Sequence, residues 1–311
     1  MNILITGGTG LIGRALAGEL ARAGHRICVL TRNPHKAKAL LPIGTQILAW
    51  EAVSAPGWES AVAKADAIIN LAGESIAGEG LAAILTRRWT PEVKKRIQES
   101  RVRVGKLLTQ AIQLSTSKPA VLIQASAVGY YGSISDREVT EEDPPGDDFL
   151  ARVCRQWEAS TTEVGAMGVR RVVIRTGLVL ARQGGILPLM LLPVRLFVGG
   201  PLGNGQQAIP WIHLADEVTA IRFLLENEGA HGAYNLVAPS PVSQAEFVRT
   251  AGAVLRRPAF IPTPAGLLKL ALGEKADLVL EGQRAVPRRL LEAGFTFHFK
   301  DLESALRDLT G

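Results

Sequence analysis

Hydrophobic positions along the chain alternate between two periodicities. Short β-branched and aliphatic runs that read as buried strands recur at Asn2 to Thr6, Arg26 to Thr31, Gln46 to Trp50, Ala67 to Leu71, Val121 to Ala125 and Arg171 to Arg175. Between them lie segments whose apolar residues return at helical spacing. Leu11 to Ala23 is one; another runs to about Leu114 and opens at Thr90-Pro91, a threonine suited to the N-cap and a proline suited to the first helical position. A third holds Leu150, Cys154 and Glu158. Strands of this apolar character alternating with helices predict an α/β fold, a doubly wound parallel sheet covered on both faces.

Past Leu180 the pattern changes. Gly184 to Pro210 is rich in glycine and proline and reads as loops and short helices. From about Ser240, helical segments with linker prolines take over, at Gln244 to Leu255 and Pro264 to Leu272. Leu290 to Leu309 reads as helix, an aromatic strand through Phe295, Phe297 and Phe299, and a terminal helix. These shifts divide the chain into a larger unit of residues 1–180, to which 205–237 return, and a smaller C-terminal α+β region of 181–204 and 238–311.

The first turn carries the clearest chemistry. Thr6-Gly7-Gly8-Thr9-Gly10-Leu11-Ile12-Gly13 joins the opening strand to the opening helix. In such a turn Gly7 permits the tight bend, Gly10 lets the backbone approach a pyrophosphate, and Gly13 lets helix close on strand. The helix amino terminus then offers unpaired N–H groups and a positive dipole end to phosphate. The spacing T-G-x-x-G-x-x-G resembles the extended short-chain dehydrogenase/reductase superfamily, and a Rossmann-type domain with a substrate-side lobe follows from that likeness.

The second strand ends at the position that selects between dinucleotides. A carboxylate there would bind the ribose 2′-hydroxyl of NAD, but this chain has Thr31-Arg32. A guanidinium pairs with a 2′-phosphate, so NADP(H) is the expected cofactor. Asn70-Leu71-Ala72-Gly73 resembles the superfamily's N-x-A-G turn beside the adenosine half, and Glu74 to Leu85 reads as a loop over the site. The basic residues of the long helix include Arg96 and Arg101, either of which could reach a phosphate or ribose.

Ser126-Ala127-Val128-Gly129-Tyr130-Tyr131-Gly132 looks like the serine turn of extended reductases with one extra small residue. A serine there hydrogen-bonds the substrate's carbonyl or carbinol while hydride is exchanged. The superfamily's Tyr-x-x-x-Lys acid/base pair is missing: counting back from Glu158 puts Leu150 and Cys154 at its two positions. Tyr130 and Tyr131, on the serine turn, are the remaining candidate proton donors. Trp211-Ile212-His213-Leu214-Ala215-Asp216 resembles a segment in which the histidine and aspartate tie the substrate region to the core.

Bulk properties narrow the partners. Hydrophobic residues make up 47% of 311 and charged ones 21%, an ordinary globular balance. The formal charge of +6 and pI near 9.5 suit an anionic ligand, but no basic run with interleaved aromatics points to nucleic acid. Ile186 to Val198, the most apolar later stretch, is broken by Pro188, Pro193 and Arg195 and is too short to span a bilayer. Cys28 and Cys154 make no disulfide framework, Met1 runs directly into a strand, and no His, Cys, Asp or Glu grouping has metal-ligand spacing. A cytoplasmic protein acting on a small molecule is the resulting expectation.

Taken in order, TGGTGLIG, NLAGESI, RRWTPEVKKRIQESR, ASAVGYYG, DDFLARVCRQWE, LVLARQGGILPLMLLP and GGPLGNGQQAIPWIHLAD resemble the atypical extended reductases known as epimerase family proteins, over essentially the whole chain. The resemblance implies NADP contacts at Thr31, Arg32, Leu71, Ala72, Arg96, Arg101 and Val179 beside the glycine turn, and it makes the lost Tyr-Lys pair part of the family's own pattern. Two readings stand. One is an NADP-dependent oxidoreductase or epimerase-like enzyme on a small hydroxyl or carbonyl compound, using Ser126 with Tyr130 or Tyr131. The other is a non-catalytic NADP(H)-binding sensor or scaffold, which the family's association with cell or plastid division suggests. The superfamily commonly dimerises through the long helix, so a homodimer is a further expectation.

Overall fold

The computed structural model describes residues 1–51, 57–76 and 88–311. Seven parallel strands form the central sheet: β1 Asn2–Thr6, β2 Arg26–Thr31, β3 Gln46–Ala49, β4 Ala67–Asn70, β5 Val121–Ala127, β7 Arg170–Thr176 and β11 Gly232–Leu236, in the order β11-β7-β5-β4-β1-β2-β3. The reversal between β1 and β4 is the topological switch point of a doubly wound sheet, where ligands enter at the carboxyl ends of strands. The first six of these strands coincide with the apolar runs to within two residues. The inner strands β4 and β5 are buried on both faces, which is why their sequences lack polar alternation, whereas the edge strand β3 has no fully buried residue.

Among the described helices, α1 Leu11–Arg22, α2 Pro34–Leu40, α3 Glu59–Ala63 and α4 Pro91–Leu114 accompany the first half of the sheet. Thr90 caps α4 as its sequence requires, its hydroxyl accepting from the Val93 N–H, and Pro91 stands in the first turn. α5 Phe149–Ala159 packs beside α4, and α7 Leu214–Glu226 against α1. One core lies on the α1 and α7 side and includes Ile5, Leu16, Ile69, Ile174 and Ile221. The core on the opposite face includes Leu4, Trp58, Ile68, Val104 and Leu122.

The C-terminal part builds a third core on α6 Leu187–Arg195, α8 Gln244–Leu255 and α12 Leu302–Thr310. Between α8 and α12 lie α9 Ala265–Leu272, α10 Asp277–Leu280 and α11 Arg288–Glu292. Short ladders complete this side: β8 Leu178–Leu180 with β10 Trp211–His213, β9 Ala208–Ile209 with β12 Val242–Ser243, and β6 Ile134–Val139 with β13 Gln283–Ala285.

One expected element is absent. Residues 295–299 form no strand, although their aromatic alternation is real. Phe295 and Phe297 pack edge to face at 4.9 Å inside the first core, and Phe299 stacks on His213 at 3.9 Å. The rings are anchored one by one, with no neighbouring strand to form a ladder.

Candidate active site

α1 begins at Leu11, and its N-cap, Gly10, has no side chain to satisfy the first N–H groups, which leaves them for an anion. Gly7 holds φ +71°, and a Cβ on it would lie 2.6 Å from the Leu71 carbonyl oxygen, so the turn lies tight against the exit of β4. A Cβ on Gly13 would meet the Gly7 carbonyl oxygen at 2.3 Å, whereas one on Gly10 would have only the Gly7 oxygen near it, at 3.3 Å. Gly7 and Gly13 are therefore demanded by the fold itself, and Gly10 is not. Beneath the turn Thr6 donates to Asn70 Oδ1 at 2.6 Å, and Asn70 donates to Gln124 Oε1 at 2.9 Å. This buried chain crosses β1, β4 and β5, so the Thr6 hydroxyl braces the turn and does not face a ligand.

Arg32 is exposed at the end of β2, and its guanidinium has no partner among the described residues. The bend that presents it is fixed: the Asn33 N–H donates to Thr31 Oγ1, and the Asn33 side chain caps α2. Leu71 and Ala72 are half-buried beside Gly7, and Val179 is half-buried on β8 with Gly185 and Leu11 close by.

The two long-helix arginines both engage Glu74, Arg96 from an exposed position and Arg101 from a buried one. Arg101 is buried, donates to the carbonyls of Ile97 (2.9 Å) and Glu74 (3.0 Å), and rests on the Trp157 ring. Burial lowers its proton affinity, and the neighbouring Cys154 and Glu74 oppose that effect. Arg96 pairs with the Glu74 carboxylate at 3.3 Å, and Ser100 accepts from the Glu74 N–H. One face of α4 thus pins the segment after β4. Arg101 acts here as a brace for the backbone, with its guanidinium engaged and enclosed. Residues 77–85 of the expected loop lie outside the described residues.

The serine turn is more enclosed than its sequence suggests. Ser126 lies on the last turn of β5, directly beside Arg175 of β7 in register, and donates to Glu158 Oε1 at 2.6 Å. Arg175 donates to both oxygens of Glu158, at 3.0 and 3.1 Å, and to the Tyr131 hydroxyl at 3.0 Å. Tyr131 in turn donates to Asn235 Oδ1 at 2.7 Å. Burial, only partly offset by Arg175, pushes the Tyr131 phenol up to about 12. Enclosed and doubly bonded, Tyr131 cannot serve as the exposed proton donor the sequence allows for. Tyr130 differs: it is half-buried, its hydroxyl has no partner among the described residues, and the Arg175 guanidinium lies 3.5 Å from its ring centroid.

Cys154 lies buried on α5 against Ser126. Burial raises its thiol to about 12, which leaves it neutral and unable to supply an ammonium's charge. Sequence reading did not assign a role to Arg175 or Glu217. Arg175 is a charged residue at the end of an apolar run, which is itself the signal, whereas Glu217 follows Asp216 and carries no such local mark. Glu217 is fully buried on α7, accepts from the Thr176 hydroxyl at 2.8 Å, and has its second oxygen unpartnered. Burial lifts its carboxyl to about 8. His213 and Asp216 are architectural as expected: His213 accepts from the Ala215 N–H to cap α7, and Asp216 accepts from the backbone of His298 and Phe299. Among the described residues no three His, Cys, Asp or Glu side chains group to hold a metal, and no helix is long and apolar enough to cross a membrane.

The family model for the NAD dependent epimerase/dehydratase family matches residues 3–236, across the sheet, the glycine turn and the serine turn. The chain belongs to the NAD dependent epimerase/dehydratase family. A separate model, a domain of unknown function (DUF1731), matches residues 263–309. The epimerase family protein YfhF of Bacillus subtilis is 40% identical, with 99% of this chain and 98% of the relative covered. The human epimerase family protein SDR39U1, solved with NADPH, is 37% identical and superposes with a TM-score of 0.86 over 99% of both chains. A Thermotoga maritima UDP-glucose 4-epimerase shares the fold at a TM-score of 0.77 and 15% identity.

Proposed function

We propose that this chain binds NADP(H) in the crevice at the carboxyl end of β1 and uses it on a small carbonyl or hydroxyl compound, with Tyr130 as the proton donor or acceptor. The site fits the cofactor: Gly7 forms a cradle a Cβ would fill, α1 presents uncapped N–H groups, and Arg32 offers an unpaired guanidinium for a 2′-phosphate. Leu71 and Ala72 would flank the adenosine half, and Val179 the nicotinamide half. When bound, the cofactor supplies or accepts hydride. The human relative solved with NADPH supports the choice of NADP(H).

The observation that carries the chemistry is the contrast between the two adjacent tyrosines. Tyr131 is sealed in a buried network, while the Tyr130 hydroxyl is unengaged and its ring lies against a guanidinium. As a proton leaves Tyr130, Arg175 would stabilise the charge developing on the phenol without reorganising. Ser126, committed to Glu158, would hold Arg175 and Glu158 in place. The test is NADPH turnover against a panel of small aldehydes, ketones and sugar nucleotides. Tyr130→Phe is expected to lower turnover about a hundredfold or more with NADPH affinity unchanged, and Tyr131→Phe to retain it when folded. Equal turnover in wild type and Tyr130→Phe would remove the assignment.

A second reading rests on the same network. With the Ser126 hydroxyl turned into a closed buried cluster, the site lacks the serine donor of the superfamily, which favours a sensor that binds NADP(H) without chemistry. Tight NADPH binding with no turnover across the panel would select it.

A further inference from the structure

Arg14 is charged where the fold gives no reason for a charge. It ends the first turn of α1, where its N–H donates to the Gly10 carbonyl at 3.0 Å. That end of a helix is already positive, the first turn of α1 holds no acidic residue, and a cation placed there opposes the dipole. The guanidinium makes no ion pair among the described residues, and its Nε is buried without a hydrogen-bond partner. A buried N–H left unpaired costs free energy as well. Helix stability and packing both argue against an arginine here, and a residue that breaks local rules in this way is accounted for by a ligand.

The phase of α1 gives the direction of this side chain. Successive helical residues turn by about 100°. Gly13, Leu16, Ala17 and Leu20 are buried against the sheet, and Glu19, which pairs with Arg222 at 3.0 Å, marks the edge that meets α7. Arg14 falls on the opposite edge, toward β2 and α2, whose Ala37 shares the core of Leu16 and Ala17. The glycine turn itself lies on β2: a Cβ on Gly8 would meet both Val29 methyl groups at 2.8 Å, and one on Gly13 would meet Gly8 Cα at 2.7 Å. Thr6 pairs with Leu30, so Gly8 and Arg32 leave the sheet level with one another. A helical side chain leans back toward the amino end of its helix, which carries Arg14 toward the end of β2 where Arg32 stands exposed.

No carboxylate answers these two cations. Residues 1–18 and 31–50 contain neither aspartate nor glutamate. Of the two acids that bound these stretches, Glu19 is engaged by Arg22 and Arg222 on the far edge of α1, and Glu51, beyond β3, pairs with neither Arg14 nor Arg32. Lys36 and Lys38, both exposed on α2, add to the positive charge of the same side.

We propose that Arg14 is a second ligand of the cofactor's 2′-phosphate, closing on it from α1 while Arg32 closes on it from the end of β2. This rests on the NADP(H) reading above and adds to it a specificity-determining residue on a different element. The terminal nitrogens of Arg14 would donate charge-assisted bonds to phosphate oxygens, and the dianion would offset both the pair of guanidinium groups and the dipole that Arg14 opposes. A ribose 2′-hydroxyl carries no charge and offers neither compensation, so the arrangement discriminates against NAD(H).

Adenosine 2′,5′-bisphosphate and adenosine 5′-monophosphate differ by that phosphate alone, so isothermal titration of the full chain with each reads the subsite without the nicotinamide. Arg14→Met is expected to lose about tenfold in affinity for the bisphosphate and for NADPH at low salt, and no more than about twofold for the monophosphate and NADH. Arg14→Lys, which keeps the charge without the fork, is expected to recover part of the loss. In thermal unfolding without ligand Arg14→Met is expected to match or exceed wild type, which separates lost affinity from misfolding. Equal losses for the two members of a pair would place Arg14 at the pyrophosphate and overturn the proposal. Unchanged affinity in Arg14→Met beside a loss in Arg32→Met would overturn it too, with the cofactor reading left standing. Wild type that binds neither dinucleotide removes that reading, and the role of Arg14 with it.

Discussion

The guanidinium of Arg175 holds both carboxylate oxygens of Glu158 inside the protein, at 3.0 and 3.1 Å, with the two side chains only 6% and 14% exposed. Deleting one member of such a pair leaves an uncompensated charge where water cannot reach it. Arg175→Met is expected to cost about 3–5 kcal/mol, while Arg175→Met combined with Glu158→Leu recovers most of that loss. Urea denaturation of the four proteins of the cycle measures it. If the single variant loses less than about 1 kcal/mol, the pair does not hold β7 to α5.

The glycine turn separates what the fold needs from what a ligand needs. A Cβ at Gly13 would press on the Gly7 carbonyl oxygen and Gly8 Cα, and no flexible side chain is there to yield. Gly13→Ala is expected to destabilise by about 2–3 kcal/mol. Gly10→Ala, with room for its methyl group, is expected to stay within about 1 kcal/mol of wild type in stability yet lose tenfold or more in NADPH affinity. Thermal unfolding paired with a fluorescence titration distinguishes the two; full NADPH affinity in Gly10→Ala would remove Gly10 from the pyrophosphate site.

How much of this could be read before the structure depends on the range of the interaction. Six of the seven sheet strands, both ends of α4 and the glycine turn are set by neighbours a few residues apart, and periodicity and capping chemistry report those directly; β11 Gly232–Leu236 was not read from the sequence. The direction of a side chain at the edge of a site is set across strands. Ser126 faces Glu158 because β5 and β7 pair in a register that puts Ser126 beside Arg175, a relation between residues far apart in sequence. Arg101 illustrates the same limit: its place on the helix was legible, but burial against Trp157 and the Glu74 backbone turns it inward. The pairing of β6 with β13 joins residues 134 and 283 and leaves no local trace. Phe295, Phe297 and Phe299 have the spacing of a strand without any partner edge, so period alone misled.

Cofactor choice rests first on one exposed side chain. Arg32 has no competing partner among the described residues, and its replacement by a carboxylate would set a like charge against a 2′-phosphate. Arg32→Asp is expected to weaken NADPH by about a hundredfold and NADH by no more than a few fold, at low salt. Isothermal titration with both dinucleotides measures the difference; equal losses would show that this position does not read the phosphate.

Glu217 gives the protein a pH dependence with a definite sign. Its carboxyl is fully buried, with only the Thr176 hydroxyl on one oxygen, and burial raises it from 4.5 to about 8. In the unfolded chain it ionises at its ordinary value, so between about pH 4.5 and pH 8 the native state holds a proton that the unfolded state has released. Its contribution is therefore complete below pH 4.5, falls as pH rises through that window, and is level above it. At about 1.4 kcal/mol per pKa unit the loss is on the order of a few kcal/mol. Glu217→Gln has nearly the same shape and no proton to release, so it should lose the alkaline fall, exceeding wild type at pH 8 while matching it near pH 4.5. His213 works in the opposite direction. Burial lowers its proton affinity, and protonation would remove its cap on α7, so stability is lost as pH falls below 6.5. Denaturation midpoints from pH 4.5 to pH 9 for wild type, Glu217→Gln and His213→Asn separate the two limbs. An alkaline limb that survives in Glu217→Gln would mean that another group carries it.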